Sequence, residues 1–302
     1  MIFIGIDVGG TSVRVLTETS GRRGEIVSVP VAGSYDAFLD QIATLCAAAG
    51  RPEAVGVGLP GTSDGDRPLF VPALPWIEGR PLREDLERRL GTTVRLGLDG
   101  HLTLLAEAAE GAARGARSAV LLAVGTGIGG ALLVDGRIWK GAHGSAGSWG
   151  WLPAPPPEPG PTPEPHPTPA PEPQPGPAPE RGPALDPAHG PFEQVASGSA
   201  LPGGPALVAA ARGGDERAAA ELDRYAVRLA RGVAALASVI DPDVILIGGG
   251  LADAMDVLGP LLDRHVARFA SPDGGRVPVR AAELGSRAGV VGALLTARLE
   301  TE

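Results

Sequence analysis

The chain has 302 residues, a formal net charge of -9, 43% apolar residues and 20% charged residues. That is enough for one large domain or two ordinary ones with buried cores, and the acidic balance excludes non-specific nucleic-acid binding, which needs a basic surface. Cys46 is the single cysteine, which excludes an intramolecular disulfide framework and any cysteine-cluster zinc or iron–sulfur site, and Lys140 is the one lysine in a chain without asparagine.

The N-terminal apolar run, 2–8, lacks the basic region and long core of an export signal. No stretch reaches the roughly 18 apolar residues of a membrane span. A cytoplasmic protein with no membrane partner is expected. Residues 2–8, 13–18 and 25–31 read as a β-meander. Residues 36–49 read as a helix with Phe38, Ile42, Leu45 and Ala49 on one face, and Cys46 as a small core residue. Residues 54–58 and 94–98 read as buried strands, 102–114 as a helix, and 118–124 and 128–134 as strands. Helices follow at 200–212 and 216–239, a buried strand at 244–247, a helix at 251–269, a strand at 277–281 and a last helix at 287–299. The alternation predicts an α/β chain with mixed sheets.

Eighteen prolines fall in the 39 residues from Pro153 to Pro191. Proline fixes φ and lacks a backbone donor, so 153–191 is expected to be an extended, polyproline-like insertion. It is either a surface excursion without a role or a docking segment for a proline-recognising partner or a neighbouring subunit.

Three glycine-rich turns and one aspartate carry the chemistry. In Asp7-Val8-Gly9-Gly10-Thr11-Ser12-Val13-Arg14 a strand runs into Asp7, turns on Gly9 and Gly10, and runs out again. Such a turn exposes backbone N–H groups to phosphate oxygens; Thr11 adds a hydroxyl, and Asp7 can hold Mg²⁺ directly or through water. A plain structural hairpin is the alternative. Gly125-Thr126-Gly127-Ile128-Gly129-Gly130 matches the dinucleotide fingerprint, but that motif needs a following helix. Here an apolar strand follows, so the segment is a second glycine hairpin of the first design. Gly248, Gly249 and Gly250 separate a strand from a helix, where an adenosine or phosphate can approach the backbone. Asp99 ends the strand at 94–98; it could accept a proton from an attacking hydroxyl, or simply cap the next helix. His101, His143 and His265 show no metal-ligand spacing and read as surface or cap residues. The Arg22-Arg23 and Arg88-Arg89 pairs and Lys140 read as solvated.

In this order and spacing the segments DVGGTSVR (7–14), GLPG (58–61) with LPW (74–76) and Asp99 resemble the ROK family of sugar kinases and repressors. VGTGIGGALLVDGRIWKGAHGSAG (124–147), EQVASGSAL (193–201) and DPDVILIGGGL (241–251) extend the likeness. The resemblance covers nearly everything outside the proline segment. It implies a two-domain actin-like ATPase (ribonuclease H-like) fold with the nucleotide cleft between the domains. The small domain would comprise 1–116 plus 287–302, and the larger 117–286. It implies ATP and Mg²⁺ as cofactors and a homodimer. Gly9, Gly10, Thr11 and Arg14 would form the first phosphate loop and Gly125, Thr126, Gly127 and Gly129 the second. Gly248, Gly249 and Gly250 would bracket adenosine, Asp7 would place Mg²⁺ through water, and Asp99 would be the general base. Gly61, Leu98, Asp99, Ser148, Trp151 and Glu193 would face the sugar. The repressor branch carries an N-terminal helix-turn-helix, whereas here the first phosphate strand begins at residue 2, so no nucleic-acid partner is expected.

The departures are specific. The family's Asn-Asp is Leu98-Asp99 here. Its Gly-Glu-x-Gly-His is Gly147-Ser148-Trp149-Gly150-Trp151, and its cysteine-rich zinc loop is replaced by the proline segment, so no structural zinc is expected. An acceptor pocket that loses an amide, a carboxylate and an imidazole should reject glucose, whose hydroxyls would be buried unpaired. A cyclitol, deoxy sugar or other reshaped acceptor is expected. Trp149 or Trp151 either stacks on its apolar face or packs where the zinc loop packs in relatives. The rival reading is a non-catalytic nucleotide- or sugar-binding sensor.

Overall fold

Residues 1–64, 66–153, 186 and 189–299 are described by the computed structural model of the chain. The predicted meander forms as β1 (Ile2–Val8), β2 (Ser12–Thr19) and β4 (Val27–Pro30), with a two-residue strand β3 (Arg22–Arg23) between the last two. Helix α1 (Tyr35–Ala49) buries Phe38, Ile42 and Cys46. Burial pushes the Cys46 thiol up to about 12. β5 (Ala54–Leu59) is buried along its whole length. It lies parallel to β1 on one side and, beyond the short hairpin β6 (Thr62–Ser63) and β7 (Pro68–Phe70), parallel to β8 (Thr93–Leu98) on the other. The first sheet therefore runs β3-β2-β1-β5-β8, with β4 also paired to β2.

Helix α2 (Leu82–Leu90) was not expected from the sequence. Its LREDLERRL is dominated by charge, and only Leu82 and Leu86, one turn apart, bury a narrow face. Helix α3 spans Asp99–Glu110 and so begins three residues earlier than predicted, with Leu98 at the N-cap. Asp99 is thus the first helical residue rather than the cap, and it brings His101 into the first turn.

The second sheet runs β11-β10-β9-β12-β13. β9 (Ala119–Val124) and β10 (Ile128–Val134) pair antiparallel across the second glycine turn, and β11 (Arg137–Ile138) continues the meander. A short helix, α4 (Pro191–Ala196), takes Pro191 as its first residue, so this proline belongs to a helix and not to the predicted insertion. Nearly all of the rest of 153–191 lies outside the described residues. Helix α5 (Gly204–Arg212) precedes α6 (Glu216–Ile240), a 25-residue helix. Asp215 caps α6 by accepting from the N–H groups of Arg217 and Ala218. The apolar stripe Leu222, Tyr225, Leu229, Val233 and Leu236 packs α6 into the core that covers one face of this sheet. β12 (Val244–Gly248) lies parallel to β9 and to β13 (Val279–Ala281). Between them, α7 (Met255–Phe269) starts later than predicted because 249–254 wind as a 3-10 turn.

Helix α8 (Ala288–Arg298) returns to the first sheet. Gly5 and Gly56 let it lie directly on β1 and β5. A Cβ on Gly56 would sit 1.9 Å from the Ala293 carbonyl oxygen, and one on Gly5 would sit 2.4 Å from the Leu294 nitrogen. Helix α3 wedges between the two halves: its Leu104 packs with Leu121, Leu133 and Leu246 of the second sheet, and its Ala106 with α8. No helix among the described residues is long and apolar enough to cross a membrane.

Two surface expectations are corrected. His101 and His265 are buried, at 6% and 7% exposure, because each ring finds an acceptor: the Ala146 carbonyl at 3.2 Å and Asp223 at 2.8 Å. Arg23 is not simply solvated either; it pairs with Glu110 and Glu18.

Candidate active site

A cleft of about 590 Å³ opens between the two sheets. Asp99, Gly100 and Thr103 of α3 border it on one side. Gly125, Thr126, Gly127 and Gly129 of the second hairpin and Gly248 and Gly249 border it on the other. At one end Gly125, Thr126 and Asp253 also belong to a pocket of about 500 Å³, walled by Leu201, Pro205, Val208, Leu251 and Gly250. At the other end Asp99, Gly100, Gly129 and Gly130 also belong to a small pocket of about 160 Å³. One continuous space therefore runs from an apolar pocket, past the second glycine turn, to a carboxylate and a small polar chamber. A planar base, a phosphate chain and a hydroxyl acceptor would meet those three environments in that order.

The second hairpin is held from below. Gly125 N–H closes the turn on the Gly127 carbonyl at 2.9 Å, and the Gly125 carbonyl accepts from Gly198 N–H at 2.8 Å. Ser199 Oγ donates to the Thr126 carbonyl at 2.9 Å. Glu193 Oε2 accepts from Ile128 N–H at 2.7 Å. This assigns Glu193 a place the sequence did not predict. Its carboxylate buttresses the glycine turn from α4 and does not border the small pocket, where a sugar contact was expected. The apolar pocket also draws on Gly198, Ser199 and Pro205, none of which was singled out from sequence; their signal was the small-residue run after EQVA.

The first hairpin turns tightly, Gly9 N–H donating to the Ser12 carbonyl at 2.8 Å. Asp7, Gly9, Gly10 and Thr11 do not border the cleft in this arrangement. Asp7 sits across from Arg14 in the strand register, with Arg14 Nη1 4.0 Å from its carboxylate. Arg14 also donates to the Ser286 carbonyl at 2.7 Å, on the turn that edges the cleft. The Asp7 carboxylate lies against Gly289 in the first turn of α8, where a Cβ would come within 2.8 Å. Burial raises the Asp7 carboxyl above the usual range, Arg14 opposes that, and the Asp99 charge adds to it.

The small pocket gathers Gly61, Leu98, Asp99, Ser148 and Trp151, five of the six residues predicted to face an acceptor. Asp99 opens onto the cleft, yet the surrounding protein desolvates it and raises its carboxyl above the ordinary aspartate range. Three further polar side chains share the pocket: Thr62, Ser145 and His101. The pocket is thus less depleted of hydrogen-bonding groups than the sequence implied. The two tryptophans separate. Trp149 donates its Nε1–H to the Leu121 carbonyl at 2.8 Å and packs against the core, whereas Trp151 is 61% exposed at the pocket rim.

Glu107 ties this site together. It is fully buried on α3; Oε1 accepts from Leu284 N–H and Oε2 from Ala112 N–H, both at 2.8 Å. It thereby pins the helix that carries Asp99 to the turn that edges the cleft. Glu107→Leu leaves both amides unpaired, at about 1–3 kcal/mol each. A lowered melting temperature together with a raised KM for ATP is the expected result; an unchanged KM would confine Glu107 to stability.

Among the described residues no three metal-ligating side chains gather. Beside the first glycine turn Asp7 offers a carboxylate. That donor set suits Mg²⁺ held chiefly by phosphate and water rather than an all-protein site.

A profile described as "ROK family" matches residues 3–300. The chain is 31% identical over 283 residues to an N-acetyl-D-glucosamine kinase of Shigella boydii serotype 4 (strain Sb227), covering 87% of this chain and 88% of that protein. Its structure is similar to that of a ROK hexokinase from Thermus thermophilus, with a TM-score of 0.75 and 29% identity over 98% of both chains. It is likewise similar to that of a ROK family glucokinase from Streptomyces griseus in complex with glucose and AMPPNP, with a TM-score of 0.72 and 25% identity over 99% of both chains.

Proposed function

Because the chain belongs to the ROK family, a two-domain actin-like fold of sugar kinases, we propose that it transfers the γ-phosphoryl group of ATP to a hydroxyl of a sugar or sugar-like cyclitol. One observation carries this reading: Asp99 borders both the nucleotide-sized cleft and the small pocket. A hydroxyl held in that pocket can give its proton to Asp99 while its oxygen attacks phosphorus and ADP departs. The glycine turn at 125–129 would hold the phosphates with those of its N–H groups not already bonded, as Gly125 and Ile128 are, and the pocket from Leu201 to Val208 the base. Mg²⁺ placed by Asp7 would neutralise phosphate charge. Closing the domains would bring Gly9, Gly10, Thr11 and Arg14 onto the phosphates and exclude water.

For the acceptor we favour a ring whose hydroxyl pattern differs from that of glucose. Leu98 offers no hydrogen-bond partner to a ring hydroxyl and Trp151, at the rim, only an indole N–H donor, and an unpaired buried hydroxyl costs binding. ADP release with D-glucose, deoxyhexoses, N-acetyl-hexosamines and cyclitols tests this directly, and efficient glucose turnover would overturn the altered-pocket reading. The pH dependence tests the base. Asp99 works ionised and its carboxyl is raised by desolvation. Activity should therefore fall as pH drops, with the midpoint of kcat/KM above the ordinary aspartate range. A midpoint within that range, measured with a saturating nucleotide, would mean the acid limb belongs to another group.

A further inference from the structure

The predicted pocket residues leave His101 without a role, yet its ring lies in the wall of the acceptor chamber. His101 and Leu98 line the chamber of about 160 Å³. The same two residues also line a separate cavity of about 490 Å³ on their other side. That second cavity is walled by Ser63, Asp64, Lys140 and His143. The imidazole therefore stands between two spaces.

Its orientation is fixed. Nε2 lies 3.2 Å from the Ala146 carbonyl, an oxygen that can only accept, so Nε2 carries the ring proton. Nδ1 is then a lone-pair acceptor. It has no hydrogen-bond partner among the described residues, and no unpartnered side-chain nitrogen or oxygen there is sealed from solvent. Burial lowers the imidazole below its ordinary range; the bond to the Ala146 carbonyl and the Asp99 charge oppose this, and the Lys140 ammonium adds to it. That leaves Nδ1 as the acceptor of a buried ring that lines both spaces, two residues from Asp99 on the same helical turn.

We propose that His101 sets acceptor specificity: Nδ1 accepts a hydrogen bond from one hydroxyl or amide N–H of the bound ring, and the imidazole blocks larger ring substituents from the cavity beyond it. This rests on the assignment of the small chamber as the acceptor pocket. It returns to that pocket, from a different position, an imidazole that the sequence comparison counted as lost.

Two variants separate the two parts. His101→Phe keeps the wall and removes the acceptor nitrogen. His101→Ala removes both. The probes are N-acetyl-D-glucosamine, its monodeoxy derivatives and N-butanoyl-D-glucosamine. Each is assayed for kcat/KM with ATP and, independently of turnover, for binding by quenching of tryptophan fluorescence, Trp151 lying on the pocket rim. In the wild type one monodeoxy sugar should be disfavoured against its parent by about 10–100-fold. In His101→Phe that one difference should vanish while the other deoxy positions keep theirs and KM for ATP is unchanged. In His101→Ala, N-butanoyl-D-glucosamine should gain relative to N-acetyl-D-glucosamine, and in His101→Phe it should not. Uniform loss across all deoxy positions, or an unchanged profile in both variants, overturns the proposal while leaving the kinase assignment standing. Failure of every probe to bind or react with the wild type overturns the pocket assignment as well.

Discussion

Asp99→Asn is expected to lower kcat by about 100- to 10,000-fold, the range that a positioned general base contributes. Asparagine keeps the size of the side chain and cannot take the acceptor proton. The cleft, the glycine turns and the apolar pocket are untouched, so the affinity for ATP should hold. Stability should hold too, and the sign can be worked out. Desolvation raises the Asp99 carboxyl, so the native state binds its proton more tightly than the unfolded state does. The ionised form therefore costs stability above the ordinary aspartate range, and the cost is relieved as pH falls through the raised value. Removing the charge cannot lower the melting temperature by that route. A variant that has lost turnover, binds ATP and melts no earlier than the wild type is the expected result. Equal rates for the two enzymes on a common acceptor would remove Asp99 from the chemistry.

Gly56→Ala is expected to be strongly destabilising. The added Cβ would lie 1.9 Å from the Ala293 carbonyl oxygen and 2.8 Å from its carbon. Both belong to the backbone of α8, which no rotamer change can move. The helix must lift from β5, and with it the contacts of Val290, Val291 and Leu294. Overpacking of a tight core costs about 1–3 kcal/mol or more, and each kcal/mol lowers the melting temperature of a chain of this size by about 2–4 °C. Activity should suffer in the fraction that folds, because the first turn of α8 abuts the Asp7 carboxylate. Gly33→Ala is the control: its Cβ meets nothing within 4 Å. Similar melting curves for Gly56→Ala and Gly33→Ala would show that α8 yields more readily than its packing implies.

Much of this was readable from residue order. Apolar strands ending in Asp7 and Asp99, and two glycine hairpins each followed by a strand, gave the sheets and the cleft, because those patterns are local. What stayed hidden depended on distant partners. Helix α2 shows three leucines at helical spacing among six charged residues, only two of them buried, and its existence rests on packing against the first core. Glu193 sits on the expected element, but the elements that fold beneath the second hairpin aim its carboxylate at a backbone N–H. His101 was missed because the start of α3 was placed three residues late, which left it in a loop. Starting the helix at Asp99 puts the imidazole in its first turn and in the wall of the pocket that Asp99 also lines. Trp149 and Trp151 are two residues apart and chemically identical; the Leu121 carbonyl and the close approach of Gly130, both distant in sequence, make Trp149 the core residue and leave Trp151 at the rim.

Helix α8 has a consequence for how the protein is made. It covers the face of a sheet whose strands lie within the first hundred residues, and it arrives nearly two hundred residues after β8 closes that sheet. During synthesis the first sheet therefore emerges with Gly5 and Gly56 uncovered and must wait while the whole second sheet is built. The second half can complete its core around α6 in the meantime. Folding order then runs against chain order, and the surface left waiting is the part of the molecule most in need of protection on the ribosome.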